Sequence, residues 1–332
     1  MARSKLLLAV GFVCVYSSTP LCVALTLQHH ATNKLWYSSL VFAGAACSSL
    51  VLALMHHDRS QAPSARNWHR LVGIGVAGVI GASYFGVIFG AGPASADWLE
   101  HALFPVFMLL ALWLIALLKT RGDRRKTDSQ IANFLSVPKA LGYFLALIGF
   151  GVIVYSFPHK RLTSDAPMWV YMGILPILGA IGSAFSIVLI ADAVRAGLGR
   201  FYCVAARYAL VAVVVLSTAI WTDAGMQLSG FAIVSALFVG VVLINATLLI
   251  ALKIVDDSSN MGPWSLSMLQ LLVPVATTFG SLLTNSRDAI FQIPIVTLAV
   301  ALCSITLGYA LSEIYPNISE ADEKTAAQSA VE

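Results

Sequence analysis

Three side chains that can carry charge stand just ahead of a proline: Asp97, Glu100 and His101 precede Pro105. Residues three or four apart share a face of a helix, so a helix here would place them side by side. A carboxylate beside an imidazole can bind a polar solute and exchange protons near neutral pH. A charged side chain in hydrocarbon costs roughly 2.5–3.5 kcal/mol, so it usually faces a cavity or a partner. We expect this for Glu100 and His101, whereas Asp97 has the alternative of solvation at the membrane edge.

The segment that carries these residues has a counterpart later in the chain. Residues 92–118 and 262–283 both open with Gly-Pro, reach a Pro-Val step and end in an apolar run. His101 and Gln270 stand one helical turn before Pro105 and Pro274. Duplicated, interrupted helices with polar residues are typical of transporters built from inverted repeats. We therefore predict gating or structural roles for both prolines and pair His101 with Gln270.

The composition excludes a soluble protein. Hydrophobic residues make up 58% of the chain and charged residues 11%, whereas soluble domains carry roughly a quarter charged residues. The five cysteines are scattered in apolar stretches, and no spacing indicates a disulfide frame or a metal site. Neither an ATP-binding loop nor a G-x-S-x-G or H-E-x-x-H motif is present. The sequence thus predicts an integral membrane protein that is not an enzyme, without catalytic residues, cofactor, metal or nucleic-acid partner.

Crossing a bilayer in a helix takes about 20 residues. Apolar stretches of this length predict an all-α membrane protein of ten transmembrane helices. Their ranges are 6–27, 36–55, 71–91, 95–118, 140–157, 168–191, 202–221, 229–252, 264–284 and 290–312. With both termini cytoplasmic, the basic residues outside these helices divide fifteen inside to four outside, as the positive-inside rule requires. We expect a multi-pass protein of a bacterial inner (plasma) membrane.

The duplication predicts the domain organisation. Because the echoing segments are the fourth and ninth helices, the repeat unit is five helices long. After an odd number of helices the chain is on the other side of the membrane, so the second copy of the unit enters from that side. We therefore predict two inverted five-helix repeats. They span residues 1–160 and 161–313, and residues 314–332 form a polar cytoplasmic tail.

Several short motifs, taken in order along both halves, carry a family resemblance. They are Tyr16-Ser17-Ser18-Thr19-Pro20, Ser95-Ala96 with Pro105-Val106-Phe107, Ser265 through Pro274-Val275, and Arg207 in Ala-Ala-Arg-Tyr-Ala. Together they resemble the drug/metabolite transporter (DMT) superfamily in its EamA-like ten-helix form. Two departures concern function: the first half has no arginine matching Arg207, and no glutamate follows the fourth or ninth helix.

The resemblance implies a central cavity surrounded by the third, fourth, eighth and ninth helices. Glu100, His101 and Trp98 are then the expected substrate ligands, and Tyr84, Asn245 and Gln270 complete the pocket. For Asn245 and Gln270 the alternative is a hydrogen bond between helices, a common use of intramembrane amides.

Three further residues have expected roles away from the substrate. We expect Arg207 and Asp192 to be structural or gating residues, with Asp192 paired to Arg195 or Arg207. Trp264 is expected to anchor its helix at the membrane interface.

These observations predict a secondary active transporter of a small organic metabolite such as an amino acid. We expect it to export this metabolite. It would work by alternating access about the central cavity, as a monomer or homodimer in the lipid bilayer. Carriage of protons is a separate hypothesis, which rests on Glu100 beside His101. The alternatives are a translocator of a lipid or lipid-linked headgroup and a non-transporting membrane subunit.

Overall fold

The computed structural model describes residues 2–29, 33–55, 63, 67–82, 94–118, 131, 136–156, 174–222, 225–255, 262–283 and 299–310. This part of the chain is all-helical. The helices are α1 (Ala2–His29), α2 (Lys34–Met55), α3 (Trp68–Gly81), α4 (Ala94–Leu118), α5 (Val137–Ser156), α6 (Leu175–Arg195), α7 (Arg200–Trp221), α8 (Gly230–Val255), α9 (Gly262–Leu283) and α10 (Ala299–Ala310).

The outward faces of the helices are apolar and the interior contains polar groups. Large side chains such as Leu118, Val214, Trp221, Phe231 and Val234 are exposed. Among the described residues, six segments are long and apolar enough to cross a membrane: Ser4–Leu27, Lys34–Met55, Leu99–Leu118, Leu175–Arg195, Arg200–Trp221 and Gly230–Val255. A soluble monomer rarely exposes so much contiguous apolar surface. The chain is a multi-pass helical membrane protein, while ten spans and inverted repeats stay predictions.

The two predicted interruptions are absent, because α4 continues through Pro105 and α9 continues through Pro274. A proline cannot donate the amide hydrogen bond that the carbonyl oxygen four residues earlier normally accepts. In a membrane, neighbouring helices can compensate for such a loss, so a helix can tolerate the ring. Both prolines therefore act inside continuous helices.

An irregular turn divides α8. Its first part is α-helical over Gly230–Phe238, a π-helical turn follows over Val239–Ile244, and α geometry resumes over Asn245–Val255. A π turn accommodates one extra residue, which rotates all later side chains by about 100°. This rotation determines which face of the second part of α8 points inward.

Glycines bring helix backbones close together. A Cβ atom on Gly182 would collide with the backbone of Gly81 in α3, and one on Gly240 would collide with the carbonyl oxygen of Val41 in α2. Only a residue without a side chain fits such crossings, which are common in membranes. Gly78 of α3 likewise packs closely on Arg207 of α7.

The main contacts between helices recur when each helix is replaced by the one five places away along the chain, earlier or later. The α3–α7 contact has its counterpart in α8–α2, α3–α6 in α8–α1, and α4–α6 in α9–α1. The pairs α2–α7 and α4–α9 each join a helix to its own counterpart. In a further such pair, Gly149 of α5 contacts Ala301 of α10, and Gly308 contacts Gly142. Because the order of contacts is reversed, α5 and α10 run antiparallel.

Candidate functional site

A cavity lies between α1, α2, α3, α6, α7, α8 and α9. Its empty volume is about 700 Å³, including the space by which it opens to its surroundings. Aliphatic and aromatic side chains form most of the wall, and the described polar residues that line it are Tyr16, Thr19, Ser183, Arg207, Tyr208, Thr247 and Gln270. A mainly apolar wall with a few polar groups is the usual form of a small-molecule site.

His101 and Gln270, the residues that the sequence pairs, are in contact. Nδ1 of His101 lies 2.8 Å from Oε1 of Gln270, and both side chains are buried. An amide oxygen can only accept, so with this amide orientation the imidazole donates from Nδ1. The Tyr16 ring meets the imidazole edge-on, with ring centroids 5.5 Å apart. Tyr16 and Gln270 line the cavity, whereas His101 is not among its described lining residues, so the imidazole contacts two residues of the wall.

Glu100 is fully buried but turns to a different neighbour. An added Cβ on Gly179 of α6 would lie 2.7 Å from Oε2 of Glu100. Adjacent residues do not face the same side of a helix, so Glu100 contacts α6 while His101 contacts α9. The described lining of the cavity does not include Glu100.

Asn245 lies in the packing between α8 and α2. Its amide nitrogen donates to the Ser48 hydroxyl at 2.7 Å and to the Ala45 carbonyl oxygen at 3.2 Å. Its oxygen accepts from the Ser49 hydroxyl at 2.9 Å. These bonds correspond to the interhelical alternative in the sequence analysis, and Asn245 is not among the described lining residues.

The side chains of two expected substrate ligands, Tyr84 and Trp98, are not among those that the structure describes. Tyr84 lies outside the described residues, as do the side chains of Asp97 and Trp98, although the α4 backbone there is described. Trp264, expected at the interface, is 4% exposed. Its ring packs edge-on against Tyr143 at 6.2 Å between centroids, so it contributes to the contact between α9 and α5.

Arg207 lines the cavity. Its side-chain stem packs on Gly78 of α3, where an added Cβ would lie 2.7 Å from Cγ. Its guanidinium carbon lies 5.3 Å from the centre of the Tyr208 ring, within the range of a cation–π interaction. The Tyr208 ring in turn stacks on Phe42 of α2, with centroids 6.2 Å apart. The position expected for a structural arginine is thus part of the cavity wall.

Asp192 makes an ion pair with a residue that the sequence did not indicate. Its Oδ2 lies 2.8 Å from a guanidinium nitrogen of Arg70, at the start of α3. The expected partners were Arg195, three residues away, and Arg207. The α3–α6 packing brings Arg70 to the end of α6, and a local spacing rule does not reveal such a contact.

Sequence reasoning missed Thr19 and Thr247 as lining residues. Both are threonines within apolar helices, and nothing in their immediate context separates a cavity hydroxyl from a packed one. Thr19 belongs to the motif at residues 16–20, which was the available signal. The direction in which the Thr247 side chain points depends on the π turn in α8. A sequence pattern of ordinary helical period does not predict that turn.

The fold has counterparts among solved structures. One of 26 matching solved chains, described only as a crystal structure of a protein, has 18% sequence identity and a TM-score of 0.66. The match covers 96% of this chain and 99% of that chain. No protein-family model and no curated protein matches the sequence. At this level of identity the likeness concerns the fold alone.

Proposed function

We propose that this protein is a secondary transporter of the DMT type, which moves a small organic solute by alternating access. The observation that carries the proposal is the cavity, since α1, α2 and α3 of the first half and α6 to α9 of the second all contribute to it. Polar groups enclosed by apolar, membrane-spanning helices usually mark a solute path.

The recurrence of contacts supports two inverted five-helix repeats. Phe42 and Tyr208 stack on each other, and His101 and Gln270 share a hydrogen bond. In each pair the two residues occupy corresponding positions in the two halves, as expected beside a pseudo-twofold axis. The reversed order of contacts between α5 and α10 agrees with an axis in the membrane plane. Substrate sites of such transporters lie near this axis.

Two contacts near helix ends support the alternation of ten spans. The Asn33 amide, before α2, donates to the Gln227 carbonyl oxygen, before α8, at 2.9 Å. Arg70 and Asp192 pair at the start of α3 and the end of α6. In a ten-span topology each contact joins ends on one membrane face, the outer face for the first and the cytoplasmic face for the second. Labelling engineered terminal cysteines in intact cells tests the proposed cytoplasmic location of both termini.

Transport itself can be tested with the full-length chain in lipid vesicles. Purified protein is screened by thermal shift against a metabolite library, and each stabilising compound is tested for exchange into vesicles. Gln270→Ala should weaken binding, because it removes a polar group of the cavity wall. Ser267→Ala is the matched control on the same helix, since its hydroxyl bonds only to the Pro263 carbonyl oxygen of α9 among the described residues.

The outcomes separate this proposal from its alternatives. Exchange of a library compound that depends on Gln270 and not on Ser267 supports a solute transporter. Movement of a fluorescent phospholipid between leaflets, with no solute exchange, would instead indicate a lipid translocator. The proposal would be contradicted if solute exchange were unchanged in the Gln270→Ala variant. It would also be contradicted if the unaltered protein moved neither solutes nor phospholipid. Proton coupling is tested separately, and a Glu100→Gln variant with the full pH dependence of transport would count against it.

A further inference from the structure

We propose that the cavity selects organic anions, with Arg207 as the residue that binds a carboxylate. This inference rests on the proposed transport function and specifies its substrate class. Arg207 lines the cavity, and its Nε is buried without a hydrogen-bond partner among the described residues. A guanidinium is always charged and fits the geometry of a carboxylate. Within a membrane protein such a charge is expected to face a counter-ion.

Two hydroxyl groups support this position. Hydroxyls elsewhere in the helices bond to a carbonyl oxygen four residues earlier, among them those of Thr26, Ser38, Thr218 and Thr277. Thr19 Oγ1 and Thr247 Oγ1 are buried and have no such partner among the described residues. Both residues line the same cavity as Arg207. Buried polar groups are normally satisfied, so α1, α7 and α8 each present an unused hydrogen-bonding group to one space.

The charge of the wall is positive. None of the described residues that line the cavity is acidic, and Arg207 is the charged one among them. Asp192 pairs with Arg70 and Glu100 lies against Gly179, and neither acid is among the described lining residues. An anionic solute is therefore favoured over an amine.

The rest of the wall determines the other part of the solute. Apolar side chains surround the polar groups, namely Phe12, Phe42, Ile187, Val211, Ile244 and Leu248. Burying apolar surface contributes roughly 25 cal/mol per Å², so an apolar body is favoured beside the carboxylate. An aromatic carboxylate combines both features.

Matched probes test the charge preference directly. Full-length protein in nanodiscs is titrated with benzoate, benzamide and benzylamine, which share a ring and differ in charge, and with inorganic phosphate. We expect benzoate to bind at least tenfold more tightly than benzamide or benzylamine, since a hydrogen bond to a charged group is worth about a factor of ten or more. Arg207→Gln should remove this preference. Arg70→Gln, which removes a positive charge outside the cavity, should keep it.

A second pair of variants guards against misfolding of the arginine variant. Thr19→Val and Thr247→Val remove the hydroxyls without a change of shape and should each weaken benzoate binding several-fold. Equal binding of the three aromatic probes, tighter binding of benzylamine, or benzoate preference that survives in Arg207→Gln would overturn the proposal. Binding of phosphate without benzoate would overturn its organic part. Solute exchange in vesicles of amines alone would refute the anion assignment and leave the transporter proposal standing.

Discussion

Phe42 of α2 and Tyr208 of α7 stack with ring centroids 6.2 Å apart and planes inclined by 19°. They lie in the contact between α2 and α7, and a second contact, between α4 and α9, contains His101 and Gln270, whose side chains are hydrogen-bonded at 2.8 Å. Both pairs border one cavity, since Phe42, Tyr208 and Gln270 line it. Each of these two helix contacts therefore includes residues of the candidate site.

The hydrogen bond between His101 and Gln270 should couple the stabilities of their variants. Because Nδ1 and Oε1 contact only while both side chains are present, His101→Ala and Gln270→Ala should be non-additive by about 0.6–1.7 kcal/mol, the range for interhelical bonds in membranes. A double-mutant cycle on the unfolding of protein in bicelles measures this value. Full additivity would mean that the bond contributes nothing.

Close backbone contact should make Gly182 intolerant of any side chain. Gly182→Ala forces α6 away from Gly81 of α3, and overpacking of this kind typically costs 1–3 kcal/mol. Gly73→Ala is the control in α3, since its added Cβ has no heavy atom of another described element within 4 Å. That control should be neutral or stabilising by up to about 1 kcal/mol. Melting temperatures of the two variants in detergent compare them, and an equal response would contradict the α3–α6 contact.

Asn245 and Thr247 should respond in opposite ways. Asn245→Leu removes bonds to Ser48, Ser49 and Ala45 and should destabilise the protein by about 1–3 kcal/mol without changing solute affinity. Thr247→Val breaks no described bond and should keep the stability while weakening solute binding. Thermal unfolding and solute titration of both variants check this contrast. Loss of affinity in correctly folded Asn245→Leu would restore its expected place in the pocket.

The end of α1 should be cross-linkable to the start of α8. Thr26 Oγ1 and Ser235 Oγ lie 2.6 Å apart, so cysteines at both positions place their sulfur atoms within reach of a disulfide. In a background without the native cysteines, mild oxidation of Thr26→Cys/Ser235→Cys should give an intramolecular disulfide detectable by mass spectrometry. Each single variant should give none. Failure of the double variant to cross-link would mean that these helix ends lie apart.

The ion pair between Arg70 and Asp192 should contribute little to stability. Its side chains are 33% and 20% exposed, and partly exposed pairs typically give less than 1 kcal/mol. We expect Arg70→Gln and Asp192→Asn to lower the unfolding free energy by no more than that, with a smaller effect at high salt. The exchanged pair Arg70→Asp/Asp192→Arg should recover most of the loss. A large loss that the exchange does not recover would point to another partner for either residue.

The sequence alone predicts the helical membrane class and the correspondence between His101 and Gln270, because both depend on patterns in the sequence, whereas the hydrogen bond between the two side chains is a finding of the structure. Hydropathy determines which segments are apolar, and the duplicated proline motif pairs the two polar residues. The partner of Asp192 was not predictable, since Arg70 approaches it only through helix packing. Asn245 shows the same limit, because an amide in an apolar helix has the same sequence context whether it bonds to a helix or to a solute. The place of Arg207 in the cavity wall was not predictable either, because it depends on the packing of its side-chain stem against Gly78 of α3.

The wide turn at Val239–Ile244 gives α8 a second possible register. If that turn tightened to ordinary α geometry, the later half of the helix would swivel by about 100°, while Gly240 could keep its crossing with Val41. Thr247 would then turn its hydroxyl away from the cavity that it now lines. The same rotation would break the hydrogen bonds of Asn245 to Ala45, Ser48 and Ser49, so the hydroxyl of Thr247 in the cavity and the seam between α8 and α2 depend on one irregular turn.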